Sequence, residues 1–346
     1  MGVLRSVSFL MFGTKHFGKD GYARAAAKWD NSVMSRRLEG KVAMVTGANQ
    51  GLGFETSQEL ARRGATLYMV CRNAQRGEAA VQRVRQATGN QDVHLQVCDV
   101  SSLAAVKSLA AEWEAAGRQL HLLVNNAGIL VHERVLSADG HESCFATNTL
   151  GSFALTRALG GVLAASAPSR VVFVSSGGMY TAPLEPSSPC VLPPLQTRHL
   201  DHSDMRKYDG MLAYSRDKRR QVALAERFAE LWAGAGVAVV SMHPGWATTE
   251  GVKQSIPGFY SFYKDKFREP AQGVDTIVWL ALADGSALEP GAFYLDRAVQ
   301  PKHLSLSGTQ YGKDKVDELW AGLERMWAAG AGGGAGQAAA SAAAQR

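Results

Sequence analysis

A chain of 346 residues, 46% hydrophobic and 20% charged, suits one large domain with flanking tails and leaves ample material for a core. Its formal charge of +6 and pI of about 9.1 are spread along the sequence without a dense Lys/Arg block, which speaks against a nucleic-acid partner. No apolar run approaches the ~20 residues that span a bilayer. Cys71, Cys98, Cys144 and Cys190 form no C-x-x-C pair and read as reduced structural thiols of a reducing compartment.

The first segment, residues 1–37, mixes apolar Val3, Leu4, Val7, Phe9, Leu10, Met11 and Phe12 with scattered Lys and Arg and few acids. Its apolar part is short and lacks a small-residue cleavage site, which speaks against a secretory signal. Three readings fit: a mitochondrial or plastid transit peptide, an N-myristoylation signal at Met1-Gly2-Val3-Leu4-Arg5-Ser6, or a segment that packs on the domain or on a membrane surface. The expected location is cytoplasmic, with membrane association through this segment.

The main body spans 38–312. Lys41 to Thr46 is a strand candidate, followed by a glycine-rich turn and a helix from Phe54 to Arg63 that Gly64 terminates. Strands are expected at Ala65–Cys71, Val93–Cys98, Leu120–Val124, Arg170–Ser175, Val237–Met242 and Ala292–Leu295. Helices are expected at Gln75–Thr88, Leu103–Ala116, Gly140–Ala165, Met211–Ala233 and Ala271–Ala283. Pro183, Pro186, Pro189, Pro193 and Pro194 mark a loop insert, and Ile256–Phe267 is aromatic and mobile in character. Alternating strands and helices mean βαβ units, an α/β parallel sheet and helices on both faces. A helix at 313–327 places Val316, Leu319, Trp320, Leu323 and Trp327 on one stripe, and an Ala/Gly-rich tail at 328–346 reads as disordered.

Gly47, Gly51 and Gly53 lie between a strand and a helix. Glycines there allow positive φ and close approach of backbone to a pyrophosphate, which the helix N-terminus attracts. The spacing is G-x-x-x-G-x-G rather than G-x-G-x-x-G, and the bland reading is a tight turn. An NAD-type ribose site places an acid at the end of the second strand, but this chain has Arg72, whose guanidinium suits a 2′-phosphate. NADP is therefore the expected cofactor. Asp99, after the third strand, is placed either to meet the adenine or to cap the next helix.

Tyr214 and Lys218 stand four apart on a predicted helix and so share a face. Carbonyl reduction requires a proton donor with a pKa near working pH, and free Tyr titrates near ~10. A cation ~4 Å away at an effective dielectric of ~20 contributes ~4 kcal/mol, up to ~3 pKa units before screening and desolvation. Lys218 is the expected source, and a Ser at the end of a neighbouring strand completes the cluster. His243 reads as structural, and no histidine has metal-ligand spacing.

Thr46-Gly47-Ala48-Asn49-Gln50-Gly51-Leu52-Gly53, Asn125-Asn126-Ala127-Gly128, Tyr214-x-x-x-Lys218 and Pro244-Gly245 together resemble the motifs of the short-chain dehydrogenase/reductases, in the family's order, over about Gly40 to Asp296. Ser241 to Leu280 and Val174 to Met179 resemble one branch of that family, and the likeness takes in the N-terminal segment, which argues against a cleaved transit peptide. The resemblance implies a single-domain Rossmann-type doubly wound sheet of about seven strands. It implies that Tyr214 is the acid/base, that Lys218 lowers its pKa and holds the nicotinamide ribose, that Ser176 bonds the substrate carbonyl and that Asn148 holds a relay water. It further implies cofactor contacts from Asn49, Leu52, Val100, Asn126, Ala127, Gly128, Pro244, Gly245 and Thr249 beside those of the glycine turn, Arg72, Asp99, Tyr214 and Lys218. The choice of Ser176 over Ser175 rests on this pattern. Ser176 and Tyr214 stand further apart than is usual in the family, and the extra length falls in the proline-rich insert.

Phe259, Tyr260, Phe262, Tyr263 and Phe267 fall where the family places its substrate loop, and suggest an apolar, lipid-like carbonyl or alcohol substrate. The equal alternative is that they pack on their own helix. The expected function is an NADP(H)-dependent oxidoreductase acting on a small carbonyl or alcohol, with homo-oligomers formed through the long helices as the resemblance implies. The competing readings are a non-catalytic NADP-binding sensor or assembly protein and a nucleotide-sugar epimerase; the latter has a different glycine spacing.

Overall fold

The protein is described here by a computed structural model in which residues 2–185, 200–202 and 205–330 are described. Residues 186–199, with Pro186, Pro189, Cys190, Pro193 and Pro194 of the insert, and the tail beyond Gly330 lie outside the described residues.

Five parallel strands build the first half of the sheet, the first three each followed by a helix: β1 (Val42–Thr46), α3 (Gly51–Arg62), β2 (Thr66–Cys71), α4 (Ala74–Thr88), β3 (Val93–Val97), α5 (Leu103–Ala115), β4 (Leu122–Asn125) and β5 (Ser169–Val174), preceded by α1 (Gly2–His16) and α2 (Lys19–Ala26). Between β4 and β5 the expected single helix is three pieces: a π-helical stretch at Phe145–Gly151, then α6 (Ser152–Ala158) and α7 (Gly160–Ala165), separated at Leu159. Two consecutive glycines, Gly160 and Gly161, weaken the helix there, since glycine costs about 1 kcal/mol relative to Ala in a helix interior. The second half contains α8 (Gly210–Leu231), β6 (Val237–Met242), α9 (Glu250–Ser255), α10 (Pro257–Tyr263), α11 (Pro270–Leu282), β7 (Phe293–Leu295), β8 (Ala298–Gln300) and α12 (Lys313–Ala329).

The sheet order is β3-β2-β1-β4-β5-β6-β7-β8. All pairs are parallel except β7 with β8. The order reverses between β1 and β4, which is where an open α/β sheet opens a crevice at the carboxyl ends of its strands. Strands β1, β2, β4 and β5 are nearly continuous runs of Val, Leu and Met because helices cover both faces. One core lies beneath α5, α6, α8 and α12, a second beneath α3, α4 and α11, and a third gathers Phe17, Tyr180, Trp246 and Phe293. The stripe on α12 is buried on its own chain, with Leu319 and Leu323 inaccessible and Trp320 edge-on to Phe153 and Phe228.

The eighth strand was not expected. It returns through Asp296 and Arg297, both with φ above +50°. That backbone is the two-residue hairpin conformation usually signalled by Asn-Gly. Here ion pairs hold it instead: Asp296 binds the buried Arg268 guanidinium at 2.6 and 2.8 Å, and Arg297 binds Asp275.

Among the described residues no helix is long and apolar enough to cross a membrane, and none of their His, Cys, Asp and Glu side chains group to hold a metal ion. The N-terminal segment is instead part of the domain. Arg268 donates to His16 O and Gly18 O, and Trp246 N–H donates to Phe17 O at 2.8 Å. Phe17 is inaccessible, packed against His243, Trp246 and Tyr180. Truncating it leaves a cavity beneath the loop after β6, so Phe17→Ala is expected to lower unfolding free energy by about 3–5 kcal/mol in a urea titration; an unchanged midpoint would show that the segment is dispensable to the fold.

Candidate active site

A crevice of about 690 Å³ opens over the carboxyl ends of β1, β2, β4, β5 and β6. Its floor at one end is the turn from β1 into α3. Gly47 has φ +64°, a conformation that a β-carbon strains. Gly53 is required for close approach: a β-carbon there would lie 2.4 Å from Gly47 O and 2.5 Å from Asn126 Nδ2. Asn126 fixes this arrangement, its Nδ2 donating to Thr46 O at 2.8 Å, while Thr46 Oγ1 accepts from the N–H groups of Asn126 and Ala127. Gly47, Asn49, Gly51 and Leu52 line the crevice; Gly53 does not, and acts behind the turn. A backbone cradle at a helix N-terminus fits a pyrophosphate.

The rest of this end is also polar. Arg72, exposed at the end of β2, lines it with Arg76 from the first turn of α4. Arg76 was missed in the sequence, although two arginines four apart across a strand end were there to be read. Asp99 lines the crevice too, its carboxylate accepting from Ser101 N–H and hydroxyl, while Ser102 caps α5. Val100, Asn126, Ala127 and Gly128 complete the wall.

The other end carries the titratable cluster. Ser175 and Ser176 follow β5. The Ser175 hydroxyl donates to Lys218 O at 2.7 Å and so anchors α8 to the sheet. Ser176 lines the crevice with Tyr214, and its hydroxyl accepts from Gly178 N–H at 3.2 Å. Tyr214 and Lys218 project from α8 one turn apart, with Nζ 5.4 Å from the phenol ring centre. Lys218 is 3% exposed, and burial pushes its pKa down to about 8, with Asp217 and Cys144 opposing. Burial pushes the Tyr214 phenol up to about 12, and the Ser176 hydrogen bond opposes it. In the free protein desolvation thus outweighs the lowering expected from Lys218, and the phenol is held protonated at neutral pH, ready to donate.

Lys218 Nζ donates to Val174 O at 2.8 Å and to Gln221 Oε1 at 2.9 Å. Asn148 is fully buried and does not line the crevice. Its side chain grips the Ile129 peptide, Nδ2 donating to Ile129 O at 2.9 Å and Oδ1 accepting from Ile129 N–H at 2.8 Å. Pro244, Gly245 and Thr249 line the crevice after β6, where the Thr249 hydroxyl caps α9 by accepting from Val252 N–H. His243 is structural in its contacts: Nδ1 accepts from Gly177 N–H at 3.1 Å, and burial with the Arg268 and Lys218 charges keeps it neutral, far below 6.5. Of the aromatic segment, Phe259 and Phe267 line the crevice, Tyr260 and Tyr263 pack on neighbouring rings, and Phe262 is exposed. Phe9 of α1 and Trp246 also line it, and neither was expected at the site.

A doubly wound sheet with a glycine cradle at its switch point and a Ser, Tyr and Lys beside it defines a dinucleotide-dependent oxidoreductase site. The short chain dehydrogenase family model matches residues 41–184. The chain is 37% identical to "Dehydrogenase/reductase SDR family member 12" of Bos taurus over 94% of its own length and 98% of that protein. It is 34% identical to "Retinol dehydrogenase 11" of Homo sapiens, covering 75% of this chain and 78% of that one. The chain therefore belongs to the short-chain dehydrogenase/reductase family. Among solved structures, an uncharacterized protein from Mycobacterium Paratuberculosis superposes with a TM-score of 0.64 at 27% identity, over 84% of this chain and 95% of that one. The RhlG/NADP active-site complex of Pseudomonas aeruginosa shares the fold at a TM-score of 0.58 and 20% identity, over 74% and 94%.

Gly53→Ala inserts a methyl group against main-chain atoms and is expected to destabilise the protein by about 1–3 kcal/mol. A lowered thermal midpoint together with loss of dinucleotide binding checks the cradle; an unperturbed midpoint would contradict it.

Proposed function

We propose that this protein interconverts a carbonyl and an alcohol on a small apolar substrate with NADP(H). The observation that carries the reading is that Ser176, Tyr214 and Lys218 line one wall of the crevice together, with the Lys218 ammonium 5.4 Å from the phenol ring centre. The bound dinucleotide supplies or accepts the hydride. Ser176 offers a hydroxyl to the substrate oxygen and orients it toward the phenol. Tyr214, protonated at neutral pH, gives that oxygen its proton in reduction and takes it back in oxidation. Lys218 supplies positive charge beside the phenolate that reduction leaves.

Arg72 and Arg76 support NADP over NAD, since guanidinium groups match a 2′-phosphate and no acid stands at the end of β2 to accept from a 2′-hydroxyl. Phe9, Met211, Trp246, Ile256, Phe259 and Phe267 support an apolar substrate, and the named activity of the retinol dehydrogenase relatives agrees with that class. Leu4, Val7, Leu10 and Met11 form an exposed apolar face on α1, whose Phe9 turns inward to the crevice. That arrangement supports a peripheral membrane contact beside the entrance, where an apolar substrate would be dissolved.

NADPH oxidation with a panel of aldehydes and ketones is expected for the wild-type protein, with a fall of at least about 10²-fold in Tyr214→Phe, the size of a lost general acid. Equal rates in the two proteins would remove Tyr214 from the chemistry. Arg72→Ala should weaken NADPH binding about tenfold or more and leave NADH nearly unaffected, read by nucleotide fluorescence; equal losses would refute its role. Vesicle co-sedimentation should be reduced in the Leu4→Asp/Met11→Asp double variant, and sedimentation equal to wild type would exclude this face.

A further inference from the structure

The side chain that the reaction as described does not use is Gln221. It lies one turn beyond Lys218 on α8 and is completely inaccessible. Its Oε1 accepts from Lys218 Nζ at 2.9 Å, and its Nε2 donates to Asn148 O at 2.8 Å. The amide can sit only one way round, because an ammonium has only donors and a carbonyl only acceptors. The same Asn148 carbonyl accepts from Ser152 Oγ at 2.7 Å.

We propose that Gln221 is a positioning residue for the reaction: its carboxamide bridges the Lys218 ammonium to the Asn148 main chain and fixes which way the remaining Nζ–H points. This inference rests on the oxidoreductase reading given above and extends it. Three protons sit on Nζ. Val174 O takes one and Gln221 Oε1 a second, so the third is directed by what the other two hold. The Gly128 position shows why room exists for it: a β-carbon there would come within 3.3 Å of Nζ.

A carboxamide neither accepts nor releases a proton at neutral pH, so the contact holds Lys218 without itself carrying protons.

Electrostatics agree with a holding role. The charged and titratable groups facing Lys218 are Tyr214 and Asp217 from α8, Cys144 ahead of the π-helical stretch and His243 after β6. Asp217 is already engaged by Thr149, His202 and Arg220, and His243 is neutral. Asp217 adds favourable charge from the same helix, and two carbonyl oxygens, from Val174 and Gln221, take the hydrogen bonds of the buried ammonium. Loss of one favours the neutral amine.

Two variants and one structure test this. Gln221→Met keeps length and volume but removes both hydrogen bonds; it should lower kcat for carbonyl reduction about tenfold, leave both KM values within about twofold, and move the alkaline limb of the pH profile down by about one unit. Gln221→Glu keeps an acceptor, adds charge and should move that limb upward. A Gln221→Met limb at the wild-type position would overturn the proposal, because a merely structural side chain alters stability without moving it. Should neither variant fold, a crystal structure of the wild-type protein with NADPH decides: the amide within hydrogen-bond distance of both Nζ and Asn148 O supports the bridge, and a water in its place refutes it. Absence of turnover in the wild type would remove the oxidoreductase reading alone, since the crystallographic comparison needs no substrate.

Discussion

Everything at this site depends on keeping one ammonium charged inside the protein. Burial alone favours neutral lysine, and an unpaired buried ion is costly. The protein answers with main-chain and amide oxygens as hydrogen-bond acceptors, and with the Asp217 charge nearby on the same helix. Val174 O comes from the end of β5 and Gln221 from the next turn of α8, so the strand and the helix jointly hold Nζ. Ser175 ties the same two elements together through Lys218 O. A carboxylate at that place would have cancelled the positive charge that the phenolate of Tyr214 needs.

The elements around this point serve its geometry. The sheet reverses order between β1 and β4, opening the crevice, and the glycine turn fills one end. The π-helical stretch carries Asn148, whose side chain pins Ile129 on the crevice wall and whose carbonyl receives Gln221. From the far side, Phe17 backs His243, which accepts from Gly177 and so sets the turn that presents Ser176. The N-terminal helices are in this sense part of the active-site support, and they add Phe9 to its wall.

Much of this was legible in the sequence because it depends on local pattern. Apolar runs bounded by glycine located the strands within one or two residues, and the Tyr-x-x-x-Lys spacing on a helix located the cluster. The parts that were not legible depend on tertiary contacts. The Asp296–Arg297 hairpin lacks the usual Asn-Gly because a buried arginine holds it. Phe17 lies beyond the apolar run that ends at Phe12, and only its tertiary burial against His243 marks it out. Gln221 sits among Arg219, Arg220 and Val222, and nothing in that run distinguishes a polar residue turned inward from one turned to water. The lowering of Tyr214 by Lys218 was a ceiling before desolvation, and the depth of burial that outweighs it in the free protein is a tertiary property.

The central claim is that Lys218 is a desolvated ammonium held by neutral oxygens at the crevice wall. Titrating lysine side chains by heteronuclear NMR on the free wild-type protein, with Lys218→Met identifying the resonance, measures this directly. The account predicts one lysine titrating near 8, well below the ordinary 10.5. A Lys218 resonance that titrates with the surface lysines would contradict it.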